Sequence, residues 1–348
     1  MELSIIVPVY NSGDVLGVLL DSILKCETRV AYEIILVNDG SHDNSLKICR
    51  YYEEKYTNIR VIDQKNFGPS AARNRGLEVA LGKYILFCDS DDYVSAGMID
   101  ILFSYEPSDL IIFGIDDEIW DKGKIISTKH HQPEEKKYNS TFDFLMDFDY
   151  LVENNLLYSQ CTKMYRKDII EKNCIRFHED LLMGEDISFN LEYFSYSKNV
   201  HIITNVLYHY VHIISSNSVS SSYYKGYYEN VCMILKKQKE LLKEWKVLNP
   251  KNEVMLESFF IGRISSAIQN ELMNKDAKMC EKYYQIRNII YSKEANEAIN
   301  IGIPSSFLYR CLCFGIRYKL IIYIFMLFES VLFTKKHIVP LIARLRRK

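Results

Sequence analysis

At 348 residues, with 48% hydrophobic and 25% charged side chains, the chain has the composition of an ordinary globular protein. That length accommodates one α/β domain of roughly 210–220 residues and a smaller appendage. A formal net charge of -2 lacks the basic excess of a nucleic-acid binder, and the nine cysteines contain no Cys-Xaa-Xaa-Cys, so neither a nucleic-acid partner nor a zinc site is expected.

The chain opens on Met1-Glu2 and runs straight into an apolar stretch, residues 3–9, which predicts a strand and no secretory signal. Reduced thiols and a cytoplasmic location follow as expectations. Ser12 is placed to cap a helix over 15–24. Residues 33–37 form a second strand ending in Asn38-Asp39-Gly40-Ser41, and Asp43 caps a helix to about residue 56. Residues 59–62 read as a third strand. Gly68-Pro69-Ser70 opens a further helix, which Gly82 closes.

Tyr84-Ile85-Leu86-Phe87-Cys88 then reads as a buried strand, with Asp89-Ser90-Asp91-Asp92 at its carboxyl end. Strands separated by helices of this length predict βαβ units and a mostly parallel sheet, with ligands at the carboxyl ends of the strands. Three carboxylates within four residues repel one another unless a cation neutralises them. Oxygen ligands at that spacing suit a hard divalent ion, Mg²⁺ or Mn²⁺.

Four motifs stand in order: Ile5-Ile6-Val7-Pro8-Val9-Tyr10-Asn11, Val37-Asn38-Asp39-Gly40-Ser41, Asn66-Phe67-Gly68 with Ala72-Arg73-Asn74-Arg75-Gly76, and Asp89-Ser90-Asp91-Asp92. Together they resemble the family 2 glycosyltransferases, whose nucleotide-sugar-binding fold is called GT-A. The match is close over about the first 100 residues and thinner to about residue 220. The resemblance implies that Pro8 and Tyr10 line the base pocket, that Asp39 meets uracil or ribose, and that Arg73 lies near the nucleotide. It also implies Asp89 on ribose or donor sugar and Asp91 on the metal. Gly-Xaa-Gly-Xaa-Xaa-Gly is missing, so a dinucleotide cofactor is not indicated.

Further along, residues 117–137 are polar, include His130-His131 and Pro133, and lack strong periodicity throughout, which predicts that part of the segment is a flexible loop over the site. The two histidines receive no role. Met183-Gly184-Glu185-Asp186-Ile187 resembles the Glu-Asp motif that opens a helix beneath the acceptor sugar, which implies Asp186 as general base; read without the family, the same residues are a helix cap. Tyr208-His209-Tyr210-Val211-His212 and Asn217-Ser218-Val219-Ser220 echo the family segment that closes over the diphosphate. Val211-His212 replaces the Arg often found there, which leaves His209 or His212 for the diphosphate contact.

Residues 221–348 read as a helical C-terminal region. Within it, 309–348 hold nine Lys or Arg against one acid, Glu329, around the apolar segment 320–333. Fourteen such residues fall short of the ~20 that span a bilayer. Basic flanks such as Arg310, Arg317 and Lys319 suit a helix lying in an anionic membrane interface; a helix packed on the protein or in a homodimer is the other reading.

The expectation that emerges is an inverting transfer of a sugar from a nucleotide diphosphate donor, UDP-linked by resemblance, to a glycan or lipid-linked acceptor at the cytoplasmic membrane surface. Two alternatives stay open: a sugar nucleotidyltransferase and a non-catalytic binding scaffold. Against the first, no Lys or Arg occurs before Lys25. Against the second, Asp39, Asp91 and Asp186 are all present.

Overall fold

A computed structural model describes residues 1–121, 123–181, 183–213 and 223–334. The segment 217–220 and the basic residues from 335 onward lie outside the described residues. The chain divides into two compact units, Met1–Ser216 and Asn217–Lys348.

In the first unit the elements follow in order: β1 (Leu3–Val9), α1 (Leu16–Leu24), β2 (Tyr32–Asp39), α2 (Ser45–Lys55), β3 (Ile59–Gln64), α3 (Pro69–Val79), β4 (Tyr84–Phe87), β5 (Tyr93–Val94) and α4 (Met98–Ser104). There follow β6 (Leu110–Asp121), β7 (Lys124–His131), β8 (Lys136–Tyr138), α5 (Thr141–Met146), α6 (Phe148–Glu153), β9 (Lys163–Arg166), α7 (Lys167–Lys172), α8 (Glu185–Phe194) and β10 (Val200–Ile213). They build one sheet with the strand order β3-β2-β1-β4-β9-β6-β10-β5; β7 pairs with β6, and β8 with β10.

The centre is parallel: β1 pairs in parallel with β2 and β4, and β2 with β3. β1 and β4 are almost wholly buried, which is why they read as apolar runs without alternation. α1 buries Leu16, Leu19, Leu20 and Ile23, the spacing of one helix face. Each such side chain withdrawn from water contributes about 1.5–3 kcal/mol. β9 then runs antiparallel to both β4 and β6, while β6 and β10 are again parallel.

Three local expectations change. Ser12 does not cap α1 through its side chain; its hydroxyl meets Tyr10 O and Ser90 Oγ instead. α3 ends at Val79, where Ala80 turns extended; Gly82 serves instead to pack against β1, where a Cβ would come 2.4 Å from Ser4 N. Most importantly, most of 117–137 is strand rather than loop. β6 extends to Asp121 and folds back as β7, with Asp116 opposite His130 and Asp117 opposite Lys129. The hairpin is stabilised by pairing with partners distant in sequence, such as His209 opposite Asp116, which local periodicity does not report.

The second unit is helical over its described residues, as expected: α9 (Tyr227–Glu244), α10 (Pro250–Met273), α11 (Met279–Tyr291), α12 (Lys293–Ile301), α13 (Phe307–Arg317) and α14 (Ile321–Phe333). α10 carries its core, burying Leu256, Phe260, Ile261, Ile264, Ile268 and Leu272. No helix among the described residues is long and apolar enough to cross a membrane.

Candidate active site

The site forms where β1, β2 and β4 end, and its loops are hydrogen-bonded to one another. Asn11, in the left-handed region at φ 49°, receives His42 N on Oδ1 at 2.8 Å, and its own N donates to Ser41 Oγ. Ser12 and Ser90 share a 2.6 Å hydrogen bond between the first and third strand ends. Pro8 sits at the end of β1 opposite Val37, and Tyr10 just beyond it is exposed.

Asp39 is buried, and its carboxylate holds the chain itself. It accepts from Phe67 N at 2.9 Å, Gly68 N at 2.8 Å and Gln64 Nε2 at 2.8 Å. Gly68 adopts φ 92°, a conformation costly for residues with a Cβ, and starts α3. Asp39 therefore sets where α3 begins, and α3 carries Arg73.

Arg73 is the hub of the site. Its guanidinium donates to Asp89 Oδ1 at 2.8 Å and lies 3.5 Å from Asp186 Oδ1 and 3.7 Å from Glu185 Oε1. Burial disfavours its charge, but the carboxylates of Asp186 and Asp89 outweigh that and hold it protonated. The guanidinium packs 5.3 Å over the Phe177 ring. Next to it, Asn74 clasps the backbone of Phe177, donating to its O and accepting from its N. Gln160 completes the bridge. With its amide nitrogen toward Asp186 it donates to Oδ2 at 2.8 Å, while its oxygen accepts from Arg73 at 2.9 Å.

Asp186 stands in the first turn of α8, after Gly184 at φ 82°. Phe189, one turn on, stacks 4.2 Å from Phe177 and meets Phe87 at 5.7 Å. That aromatic packing fixes the helix under the strand ends. Burial raises the Asp186 pKa to about 8, against the pull of Arg73. Glu185 is raised as well, again chiefly by burial. Lys163, wholly buried, is pushed down to about 7 by burial, with Asp186 opposing.

The three carboxylates after β4 have different fates. Asp92 is buried, accepting from Tyr208 Oη at 2.6 Å and Val211 N at 2.9 Å. Asp91 is exposed, and its pKa is raised by desolvation and by Asp89, with His212 pulling the other way. Asp89 lies between, held by Arg73. Asp91 and Asp89 are crowded carboxylates and the His212 imidazole acts on the charge of Asp91; oxygen and imidazole nitrogen are the ligand types a divalent cation accepts.

His209 and His212 part company. His212 lies near Asp91, whereas His209 bonds Ser95 Oγ and Glu118 and stacks on Tyr93 at 4.3 Å. The structure thus brings Arg73, Asp89 and Asp186 together and sets His209 in a different cluster. Gln160 went unrecognised in the sequence, where a lone Gln between Ser159 and Cys161 carries no signal.

Residues 4–174 match the family model described as Glycosyl transferase family 2. The Escherichia coli (strain K12) protein "Uncharacterized glycosyltransferase YibD" is 34% identical over 54% of this chain and 57% of its own length. "Poly(ribitol-phosphate) beta-N-acetylglucosaminyltransferase TarP" of Staphylococcus aureus (strain N315) is 28% identical over 60% of this chain and 62% of its own. The matches therefore span about three fifths of those relatives. Among solved structures, S. aureus TarS 1-349 in complex with UDP-GlcNAc superposes with a TM-score of 0.65 at 21% identity, covering 95% of this chain and 91% of that one; the likeness is one of fold.

Proposed function

We propose, on the premise that the chain belongs through residues 4–174 to the family 2 glycosyl transferases, that it is an inverting glycosyltransferase using a nucleotide diphosphate sugar. The observation that carries this reading is the Arg73 bridge. One guanidinium ties Asp89, at the end of β4 where α/β sheets bind ligands, to Asp186 on α8. A donor-side carboxylate and a raised-pKa carboxylate are thereby fixed in one pocket wall.

The chemistry assigned to these residues is a single displacement. The acceptor oxygen forms its bond to the anomeric carbon as the bond to the diphosphate oxygen breaks, and the hydroxyl proton passes to Asp186. Attack from the side opposite the leaving group inverts the anomeric carbon. A carboxylate whose pKa is lifted toward neutrality holds a transferred proton better than an ordinary one. Arg73 orients Asp186 and Asp89, and Gln160 fixes the carboxylate plane. Asp91, with Asp89 and His212, would hold a Mg²⁺ or Mn²⁺ ion, which when bound supplies Lewis-acid stabilisation of the leaving diphosphate. Pro8 and Tyr10 are assigned to the base, and Asp39 to shaping the pocket that meets uracil or ribose.

The acceptor class follows from two supports. The poly(ribitol-phosphate) in TarP's name and the UDP-GlcNAc bound to TarS support a UDP-sugar donor and a polymer acceptor, and we assign that acceptor to surface polysaccharide synthesis. In the second unit, α13 and α14 and the turn between them leave Phe307, Phe314, Tyr318, Ile322, Met326 and Phe333 exposed, along with Arg310 and Arg317, while Lys319 turns inward to Ile290 O and Asn296 Oδ1. Apolar side chains with basic neighbours suit an anionic membrane surface, which would hold the enzyme near a lipid-linked acceptor on the cytoplasmic leaflet.

Nucleotide release measured with a panel of sugar donors, with and without Mn²⁺, tests the reading. Release or transfer from at least one UDP-sugar is expected. Binding of nucleotide without turnover of any donor would favour the scaffold instead.

A further inference from the structure

Beyond the carboxylate cleft, β6, β7 and β10 gather a second set of carboxylate and imidazole side chains. His209 on β10, Asp116 on β6 and His130 on β7 are direct cross-strand neighbours in one row. Strand alternation puts Glu118 on the same face two residues along, and puts His209 on the face opposite Tyr208, the residue that bonds Asp92. The row therefore belongs to the other side of the sheet from the cleft.

We propose that Asp116, Glu118 and His209 form a second divalent-metal site, distinct from that of Asp91, which takes a zinc-like ion and ties β6 to β10. One ligand atom from each of the three lies within 4.8 Å of the others. His209 Nδ1 stands 3.2 Å from Glu118 Oε1 and 3.7 Å from Asp116 Oδ2. Zinc bonds of about 2.0–2.2 Å in a tetrahedron place ligand atoms roughly 3.3–3.5 Å apart, which the two His209 separations bracket. Three protein ligands of this kind leave a fourth position for water.

Each ligand is held by a partner of the type that orients metal ligands. His209 uses its other nitrogen on Ser95 Oγ at 2.8 Å. Glu118 accepts from Tyr93 Oη at 2.8 Å and Trp120 Nε1 at 2.8 Å, and Asp116 pairs with His130 Nδ1 at 2.7 Å. Asp116 and Glu118 are 8% and 3% exposed, and among the described residues their ion pairs are with histidines alone. Two buried carboxylates side by side need positive charge. A metal ion would supply it, displacing the proton that otherwise bridges Nδ1 and Oε1. The ligands are carboxylates and imidazole, so cysteine spacing gave no hint of the site.

Titration of the EDTA-treated full-length protein with CoCl2, followed by displacement with ZnCl2, tests this. Asp91→Asn should still bind one equivalent of Co²⁺ with the visible absorption of a four-coordinate ion, lost on adding Zn²⁺, and should melt higher with Zn²⁺. His209→Gln and Glu118→Gln should each bind that equivalent about a hundredfold more weakly or worse. Near-UV circular dichroism identifies any variant that has not folded, and Glu118→Gln, whose one amide oxygen can still accept from Tyr93 and Trp120 at the Oε2 position, serves if His209→Gln fails. The proposal is overturned if Asp91→Asn binds neither ion, or if a folded Glu118→Gln protein keeps the same spectrum and affinity.

Discussion

Tyr208 donates its hydroxyl hydrogen to Asp92 at 2.6 Å, across 116 residues of sequence. The same hydroxyl accepts from Asp89 N. One side chain of β10 thus fastens the acidic strand end and turns Asp92 inward, leaving Asp91 exposed. The two acids are adjacent in sequence and opposite in role.

That division predicts a double dissociation. Tyr208→Phe leaves the buried Asp92 oxygen short of a donor, and the fold should lose about 1–3 kcal/mol in denaturant melts. Asp91→Asn should leave the melt unchanged while turnover drops by two decades or more, as loss of several kcal/mol of charge stabilisation requires. Wild-type turnover that persists in saturating EDTA would remove the metal from Asp91.

Asp186→Asn should nearly abolish transfer and leave UDP affinity, read by calorimetry, within a few-fold. If UDP binding collapses in parallel, the residue belongs to the donor site.

The pH dependence has a definite sign. A base works only when deprotonated, and burial lifts Asp186 to about 8 from an ordinary value near 4. The kcat should therefore climb with pH through the neutral range and level off above it. A flat profile from pH 5 to 8 would be incompatible with this assignment. Linkage adds a stability test. A raised folded-state pKa means that stability from this group is fully present below the unfolded-state value and declines as pH rises toward the folded one. Asp186→Asn should accordingly melt higher than wild type at pH 8, and the gain should vanish near pH 4.

Arg73→Lys keeps the charge but cannot span Asp89 and Asp186 with one planar fork. We expect kcat to fall ten- to a hundredfold and the acidic limb of its pH profile to move upward, since the cation that lowers the Asp186 pKa is displaced. A loss of rate without any movement of the limb would make Arg73 a purely structural residue.

Replacing Ile322 and Met326 together by Ser should reduce sedimentation with anionic liposomes and spare transfer to a soluble acceptor. Both side chains are exposed on α14, so the fold should hold. Unchanged sedimentation at low salt would refute the membrane role of this helix.

Much of the first unit was legible in the chain. Apolar runs such as 3–9 and 84–87 report parallel strands because both of their faces are buried, and strand-end motifs report the rim because ligands sit there. The positions of Asp186 at a helix start and Asp91 after β4 were legible locally, whereas their roles came only from the family resemblance. Tertiary structure alone decided the rest. Which of Asp89, Asp91 and Asp92 turns inward depends on Tyr208, and how Asp186 is oriented depends on Arg73 and Gln160. The hairpin over 117–137 and the row His209, Asp116, His130 exist only once β6 finds β10 and β7. Periodicity records how one residue relates to its near neighbours; hydrogen bonds and charge couplings across a hundred residues arise from the closed sheet, and the sequence carries no local trace of them.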